Sequence, residues 1–160
     1  MKNYVLYIIL LVTLCGCSLS KYASVDKRAS LNGYKYVYIL ETSELSSSVG
    51  YASGGFNWMY GTSSSNTVNP TDVIAGRLMK QGFVRLPQIE SDYIDKTLVV
   101  TYGESGRHQM LLGYAVEVTI QMLDASTNEV VATTTAAGLG ETEADDIRLA
   151  ILNSLDNLFK

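Results

Sequence analysis

The most regular feature of the sequence is an alternation of apolar and polar residues around position 118. This period of two predicts a β-strand over residues 114–123, with one face on a core and the other in water. The apolar positions are Tyr114, Val116, Val118, Ile120 and Met122. Turn-forming residues follow from Asp124 to Asn128, so Glu129 to Ala137 is predicted to return as the antiparallel partner strand.

A helical period marks the last segment of the chain. Apolar residues recur there three and four positions apart, which predicts an amphipathic helix. They are Ala144, Ile147, Ile151, Leu155 and Leu158. The segment opens with Thr142-Glu143-Ala144-Asp145, which resembles a capping box with Asp in place of Glu. The preceding Gly138-Leu139-Gly140 breaks the strand. It does not match a dinucleotide-binding loop, because it follows a hairpin and lacks a third glycine.

A second helix is predicted over residues 71–81. Asn69 suits the N-cap, Pro70 suits the first helical position, and Gly82 suits the left-handed residue that ends a helix. Its inner side is predicted to carry Val73, Ile74, Leu78 and the stem of Arg77. This helix interrupts the strands and covers part of the sheet.

Three further segments have the β-branched and aromatic composition of strands: residues 35–40, 83–86 and 96–102. The resulting order of elements is β-α-β-β-β-β-α. It predicts an α+β fold, with a mostly antiparallel sheet of about five strands and two helices on one face. Residues 34–160 are long enough for a single domain of this kind.

Residues 45–69 differ from the rest in composition. No charged residue occurs from Leu45 to Thr71, and serine and glycine are frequent. The segment is predicted to be a long loop or a loose hairpin. Its aromatic residues are Tyr51, Phe56, Trp58 and Tyr60. Two interpretations stay open: these rings form a partner-binding surface, or they fold back on the sheet as a hydrophobic lid.

The first 16 residues have the pattern of a secretory signal peptide. Lys2 precedes an apolar run from Tyr4 to Leu14, which is too short to span a membrane as a helix. Removal of this segment leaves 11 basic and 16 acidic side chains, a net charge of −5. That balance argues against partners that bind through phosphate groups, nucleic acids and anionic lipids included. The low proline content and the apolar fraction also exclude collagen-like and disordered chains.

The segment Leu14-Cys15-Gly16-Cys17 resembles the lipobox of bacterial lipoproteins. Cys17 fits the modified position better than Cys15, because the small Gly16 precedes it. The resemblance implies a diacylglyceryl thioether on Cys17, cleavage before it and acylation of the new amino terminus. Ser18 follows where Asp would favour retention in the inner membrane. The implied destination is therefore the outer membrane, and residues 17–33 are expected to form a tether to the domain.

Few residues have the pattern of a catalytic or metal site. Both cysteines lie at or before the cleavage site, so the mature domain lacks a thiol nucleophile and a cysteine metal site. His108 is the single histidine, and it follows Ser105 in a segment predicted to be a polar turn. The acidic residues Glu141, Glu143, Asp145 and Asp146 fit a helix amino terminus better than a calcium loop, whose ligand spacing is absent. No cofactor or metal is expected.

The order of elements, over residues 35–159, resembles that of small α+β envelope lipoproteins of Gram-negative bacteria, some of which support envelope assembly. The function expected from this resemblance is non-catalytic: a lipid-anchored interaction module on the periplasmic face of the outer membrane, with an envelope protein as partner. Glycan or peptidoglycan binding through the aromatic segment is the alternative. A hydrolase that uses His108 as its base is a third hypothesis.

Overall fold

The computed structural model describes residues 23–41, 45–55, 58–109 and 114–160. In these ranges the chain forms eight strands and two α-helices. They are β1 (Ser24–Lys27), β2 (Tyr36–Ile39), β3 (Leu45–Gly55), β4 (Trp58–Val68), α1 (Pro70–Lys80), β5 (Val84–Arg85), β6 (Thr97–Gln109), β7 (Tyr114–Asp124), β8 (Val130–Gly138) and α2 (Glu143–Leu158). No helix in the described ranges is long and apolar enough to cross a membrane.

Six strands form one mixed sheet in the order β1-β8-β7-β6-β2-β5. The first four strands of this order, β1, β8, β7 and β6, are antiparallel to their neighbours. β2 is parallel to both β6 and β5. The two helices pack against each other on one face, where Arg77 of α1 pairs with Asp156 of α2. The predicted α+β fold with a mostly antiparallel sheet is confirmed.

The core lies between the helices and the sheet. The predicted inward positions of β7 are buried from Val116 to Met122, while Tyr114 at the end of the strand is 37% exposed. All five apolar positions predicted for the last helix are at most 3% exposed. In α1, Ile74 and Leu78 are fully buried and Val73 is half-buried. The apolar periods therefore identified the core-facing sides of both helices and of the central strand.

The predicted helix ends are confirmed by their hydrogen bonds. The Asn69 side-chain oxygen accepts the Thr71 N–H at 3.0 Å, and the Thr142 hydroxyl oxygen accepts the Asp145 N–H at 3.2 Å. Each bond satisfies an amide that lacks a partner in the first helical turn. Gly82 has a φ of +93°, which a residue with a Cβ rarely adopts.

The prediction that residues 17–33 form a tether is wrong for residues 24–33. Residues 24–27 form β1, which pairs with β8 at the edge of the sheet, and residues 31–33 form a 3-10 helix. All four residues of β1 are exposed, so the strand has no buried face to give it an apolar period. Backbone pairing with β8 stabilises it instead, and composition alone therefore does not reveal it.

The predicted polar turn around His108 is also wrong. β6 continues through this segment to Gln109 and stays paired with β7, with a bulge between Glu104 and Gly106. The bulge places one extra residue, Ser105, in β6. The alternation of residues between the two faces of the sheet is therefore shifted by one position after the bulge. The Gly- and Ser-containing sequence reflects the bulge and the exposed location of this part of the hairpin.

Residues 45–68 form a hairpin rather than an open loop. β3 and β4 pair antiparallel over 11 residues each, from Leu45 opposite Val68 to Gly55 opposite Trp58. They form a separate two-stranded sheet. Serine and glycine favour strands weakly, so the pairing of the whole segment was not evident from its composition.

Candidate functional site

The residues with candidate chemistry gather at one end of the domain, here termed the upper end. It is the end at which β1 begins at Ser24, β6 and β8 end at Gln109 and Gly138, and β7 begins at Tyr114. Both helices also begin toward this end, because α1 follows the hairpin and α2 follows β8. β2 runs toward it, and the β3–β4 hairpin follows β2 in the chain.

Cys17, the predicted lipidation site, lies outside the described residues. The first described residue is Ala23, six positions later, and Ser24 begins β1 at the upper end. Six residues span at most about 20 Å when fully extended. Ser24 is one position further on, so covalent geometry keeps this edge of the sheet within about 25 Å of the Cys17 backbone.

Three of the four predicted partner-binding residues share one face of the β3–β4 hairpin. Opposite residues of an antiparallel pair lie on the same face, and the paired positions are Tyr51 with Thr62, Ser53 with Tyr60 and Gly55 with Trp58. Phe56 lies outside the described residues. The register therefore brings Tyr51, Trp58 and Tyr60 to one side of the half of the hairpin farthest from its base.

A hydrogen-bonded cluster centred on Glu117 occupies the sheet face opposite the helices. The Ser105 hydroxyl donates to one carboxylate oxygen at 2.8 Å, and the His108 Nε2 lies 2.8 Å from the other. These two bonds, that of His108 first, hold the pKa of Glu117 below its ordinary value. The β6 bulge brings the three residues together, since it sets Gly106 opposite Glu117.

This order of groups does not activate Ser105 as a nucleophile. In a serine hydrolase the imidazole takes the proton of the serine hydroxyl, and the carboxylate orients the imidazole from its other side. Here the carboxylate of Glu117 stands between the two, and the single Ser105 hydroxyl proton is donated to it. The cluster links the two strands of the β6–β7 hairpin, and its geometry does not support the hydrolase hypothesis.

Three of the four acidic residues around the start of α2, Glu143, Asp145 and Asp146, have partners within the fold. Asp146 is 5% exposed and accepts the Gly140 backbone N–H, and its burial raises the pKa of its carboxyl group. Glu143 forms an ion pair with Arg107 of β6. The described residues contain no group of three or more side chains suited to hold a metal ion. These contacts join α2 to the sheet.

Arg107 also contacts an aromatic ring, a feature that the sequence pattern did not reveal. Its guanidinium carbon lies 5.0 Å from the centre of the Tyr114 ring, within the range of a cation–π contact. Tyr114 is more than one-third exposed. The upper end thus carries an exposed aromatic ring and a cation close to the start of α2. Only the β6–β7 register, with its bulge, brings them together.

The opposite end of the domain has a surface cavity of about 490 Å³. Leu31, Phe83 and Phe159 contribute its apolar walls, and Lys27 and Lys160 lie on its lining. Tyr34, the lining residue with a raised pKa, donates its hydroxyl to Asp124 at 2.7 Å. The cavity has the size of a ligand site, but the Tyr34 hydroxyl in its lining already has Asp124 as its partner within the fold.

No protein family and no curated protein matches this chain. Among solved structures, the chain is similar to a PelC dodecamer from Paraburkholderia phytofirmans, with 14% identity over 85% of this chain and 97% of that chain and a TM-score of 0.46. A single-residue variant of that dodecamer is 16% identical over 83% of this chain and 94% of that chain, with a TM-score of 0.45. Neither similarity is close enough to assign an activity or a partner.

Proposed function

We propose that this chain is an outer-membrane lipoprotein, anchored by acyl chains on Cys17, whose domain acts as a non-catalytic interaction module on the periplasmic face. The observation that carries the proposal is the segment 14–17, which resembles a lipobox and is followed within a few residues by a folded domain. A single acyl chain binds a membrane only marginally, whereas the three chains implied by the lipobox anchor it firmly.

The polar chemistry of the upper end supports a non-catalytic role. His108 and Ser105 are bonded to Glu117, and Arg107 is paired with Glu143. Catalytic groups need a proton or a lone pair that is directed toward a substrate. Here the hydrogen bonds of Ser105 and His108 join β6 to β7, and the ion pair of Arg107 joins β6 to α2.

Fractionation of cells that express the Cys17→Ala variant tests the anchor. The variant is expected to leave the outer membrane, because every acyl chain depends on this residue. Cys15→Ala is the matched control, since it removes the neighbouring thiol and leaves the modified position intact. Recovery of Cys17→Ala in the outer membrane at the level of the unaltered chain would contradict the proposal. Crosslinking in the native envelope, followed by affinity capture, then identifies the partner of the module.

Glycan binding through the hairpin is the second candidate function. It is favoured by the register that brings Tyr51, Trp58 and Tyr60 to one face, because aromatic rings stack on the apolar faces of sugars. Sedimentation with isolated peptidoglycan sacculi tests it. Binding that is lost in Trp58→Ala and kept in Met59→Ala, on the opposite face, would favour a glycan ligand. No sedimentation would leave the protein-interaction module as the proposed function.

A further inference from the structure

The cavity at the end of the domain opposite the upper end is bordered by segments that are distant in the chain. It lies between the residues that follow β1, the 3-10 helix at residues 31–33 and the ends of both α-helices. Its volume of about 490 Å³ is within the range of sites that hold small molecules. Gly82 lines it, and a Cβ at this position would meet no atom within 4 Å. The missing side chain keeps this part of the cavity open.

The apolar walls of the cavity are continuous with the hydrophobic core. Leu158 lines the cavity, is fully buried and belongs to the core. Leu31, Phe83 and Phe159 pack against the core and are only half-buried. The rings of Phe83 and Phe159 lie 6.0 Å apart at an angle of 51°. Partly exposed apolar walls with an aromatic pair favour a ligand that has an apolar, aromatic body.

The charged side chains of the lining are both positive. They belong to Lys27 and Lys160, and the lining has no aspartate or glutamate side chain. Neither lysine forms an ion pair with an acidic side chain of the described residues. The Lys160 amine donates to the neutral side-chain oxygen of Asn157 at 2.9 Å, which uses one of its three hydrogens. The cavity is thus a positive region on an acidic domain.

The hydrogen bonds at the helix ends do not use these lysines. The Gln81 N–H donates to the Leu78 carbonyl at the end of α1, and the Phe159 N–H donates to the Leu155 carbonyl at the end of α2. These backbone groups satisfy carbonyls that lack partners in the last helical turn. The Tyr34 hydroxyl is donated to Asp124, so the lysine amines are the charged donors that remain for a ligand.

From this arrangement we infer that the cavity binds a small carboxylate with an aromatic body. The carboxylate lies at the amines of Lys27 and Lys160, and the body covers the half-buried walls formed by Leu31, Phe83 and Phe159. A charged group on one side of an apolar body matches a lining that has cations beside apolar side chains. The site is separate from Cys17 and from the β3–β4 hairpin, so it does not depend on the proposed anchor.

Equilibrium dialysis with three probes tests the inference. The full-length protein is reconstituted in phosphatidylcholine nanodiscs and dialysed against naphthoate, with empty nanodiscs as the blank. Naphthamide keeps the aromatic body without the charge, and acetate keeps the charge without the body. Naphthoate is expected to bind with a Kd below about 1 mM, and both other probes about tenfold more weakly. Nuclear magnetic resonance of the labelled protein is expected to show naphthoate-dependent shifts of the Gly82 and Phe83 amides.

Two double variants separate contact with the cavity from the general charge of the domain. Lys27→Gln with Lys160→Gln removes the cations of the lining, both of which are exposed, so the fold is expected to be kept. This variant is expected to bind naphthoate about as weakly as naphthamide. Lys80→Gln with Lys96→Gln is the matched control, because it removes two exposed lysines outside the lining. Its affinity for naphthoate is expected to stay within about twofold of the unaltered protein.

The remaining outcomes overturn the inference. Equal binding of naphthoate and naphthamide would show an apolar surface without a carboxylate site. Equal binding of naphthoate and acetate would show an ion site that does not use the apolar walls. Equal losses in the two double variants would show a general effect of charge. No naphthoate bound above the blank at about 1 mM would show that the cavity does not hold such a ligand.

Discussion

Ser24 lies directly opposite Thr135 in the antiparallel pair of β1 and β8. This pairing makes the first described strand part of the main sheet, although its side chains are exposed. It also fixes the place where the chain from Cys17 enters the domain, at the edge of the upper end. The lipid anchor proposed for Cys17 would therefore be separated from the first strand only by the few residues between Cys17 and Ser24.

Gly138→Ala is expected to destabilise the domain. A Cβ at this position would overlap the Asp146 carbonyl oxygen and the Ala150 nitrogen of α2, and backbone atoms cannot move aside easily. Overpacking of this kind costs about 1–3 kcal/mol, and the backbone contact places this variant at or above the upper value. The free energy of unfolding measured by urea denaturation checks the prediction.

Gly76→Ala is the control, since a Cβ there meets no atom within 4 Å in an exposed position of α1. Alanine in place of a helical glycine is expected to stabilise the domain by roughly 0.5–1 kcal/mol. Equal effects of the two substitutions would show that α2 does not approach β8 as closely as described.

Asp124→Asn is expected to lower stability at neutral pH and to have no effect in strong acid. Bonds from Ser126 and Tyr34 to the Asp124 carboxylate lower its pKa to about 2. Because this pKa lies below the value in the unfolded chain, the stabilisation is present above pH 4 and is lost as the pH falls through 2. The loss expected at pH 6 is about 1–2 kcal/mol, which is at the lower end of the range for hydrogen bonds to a charged group because Asp124 is only half-buried.

Thermal unfolding of the unaltered protein and of Asp124→Asn between pH 2 and pH 7 checks this prediction. The midpoints are expected to differ near neutrality and to converge toward pH 2. Tyr34→Phe removes one of the bonds to Asp124 and is expected to give a smaller difference with the same dependence on pH. A difference that stays constant over the whole range would contradict the proposed role of the carboxylate charge.

Ile151→Asp is expected to unfold the domain or to destabilise it severely. Ile151 is fully buried on α2, between Ile147 and Leu155. Loss of a large apolar side chain from a core costs about 2–5 kcal/mol, and an unpaired buried charge adds to this. Leu149→Asp is the matched control, because Leu149 is 39% exposed on the same helix. An unchanged melting midpoint for Ile151→Asp would show that α2 does not pack on the sheet.

The elements predicted most accurately are those with one face on the core. β7 and α2 have an apolar period because burial selects apolar residues at every second or at every third and fourth position. Both helix starts were predicted because the cap residues Asn69 and Thr142 act locally. The exposed β1 and the serine- and glycine-rich β3 and β4 lack such a period. Their backbone pairing is set by their neighbours, which composition does not show.

The site was predicted less completely, because its geometry depends on strand register. Glu117, Ser105 and His108 meet through a bulge in β6, and a shift of one residue would separate them. The aromatic residues of the hairpin were singled out by composition, but their common face follows only from the pairing of β3 with β4. Cys17 was identified by its local motif, and its modification stays a prediction.

The most direct test of the central claim is the intact mass of the amino-terminal peptide from protein extracted from the outer membrane. We predict that the mature chain begins at Cys17 and carries a diacylglyceryl group on sulfur and one acyl chain on the new amino group. A peptide that begins at Cys17 without acyl chains, or a mature chain that begins elsewhere, would contradict the lipid anchor and with it the proposed location of the domain.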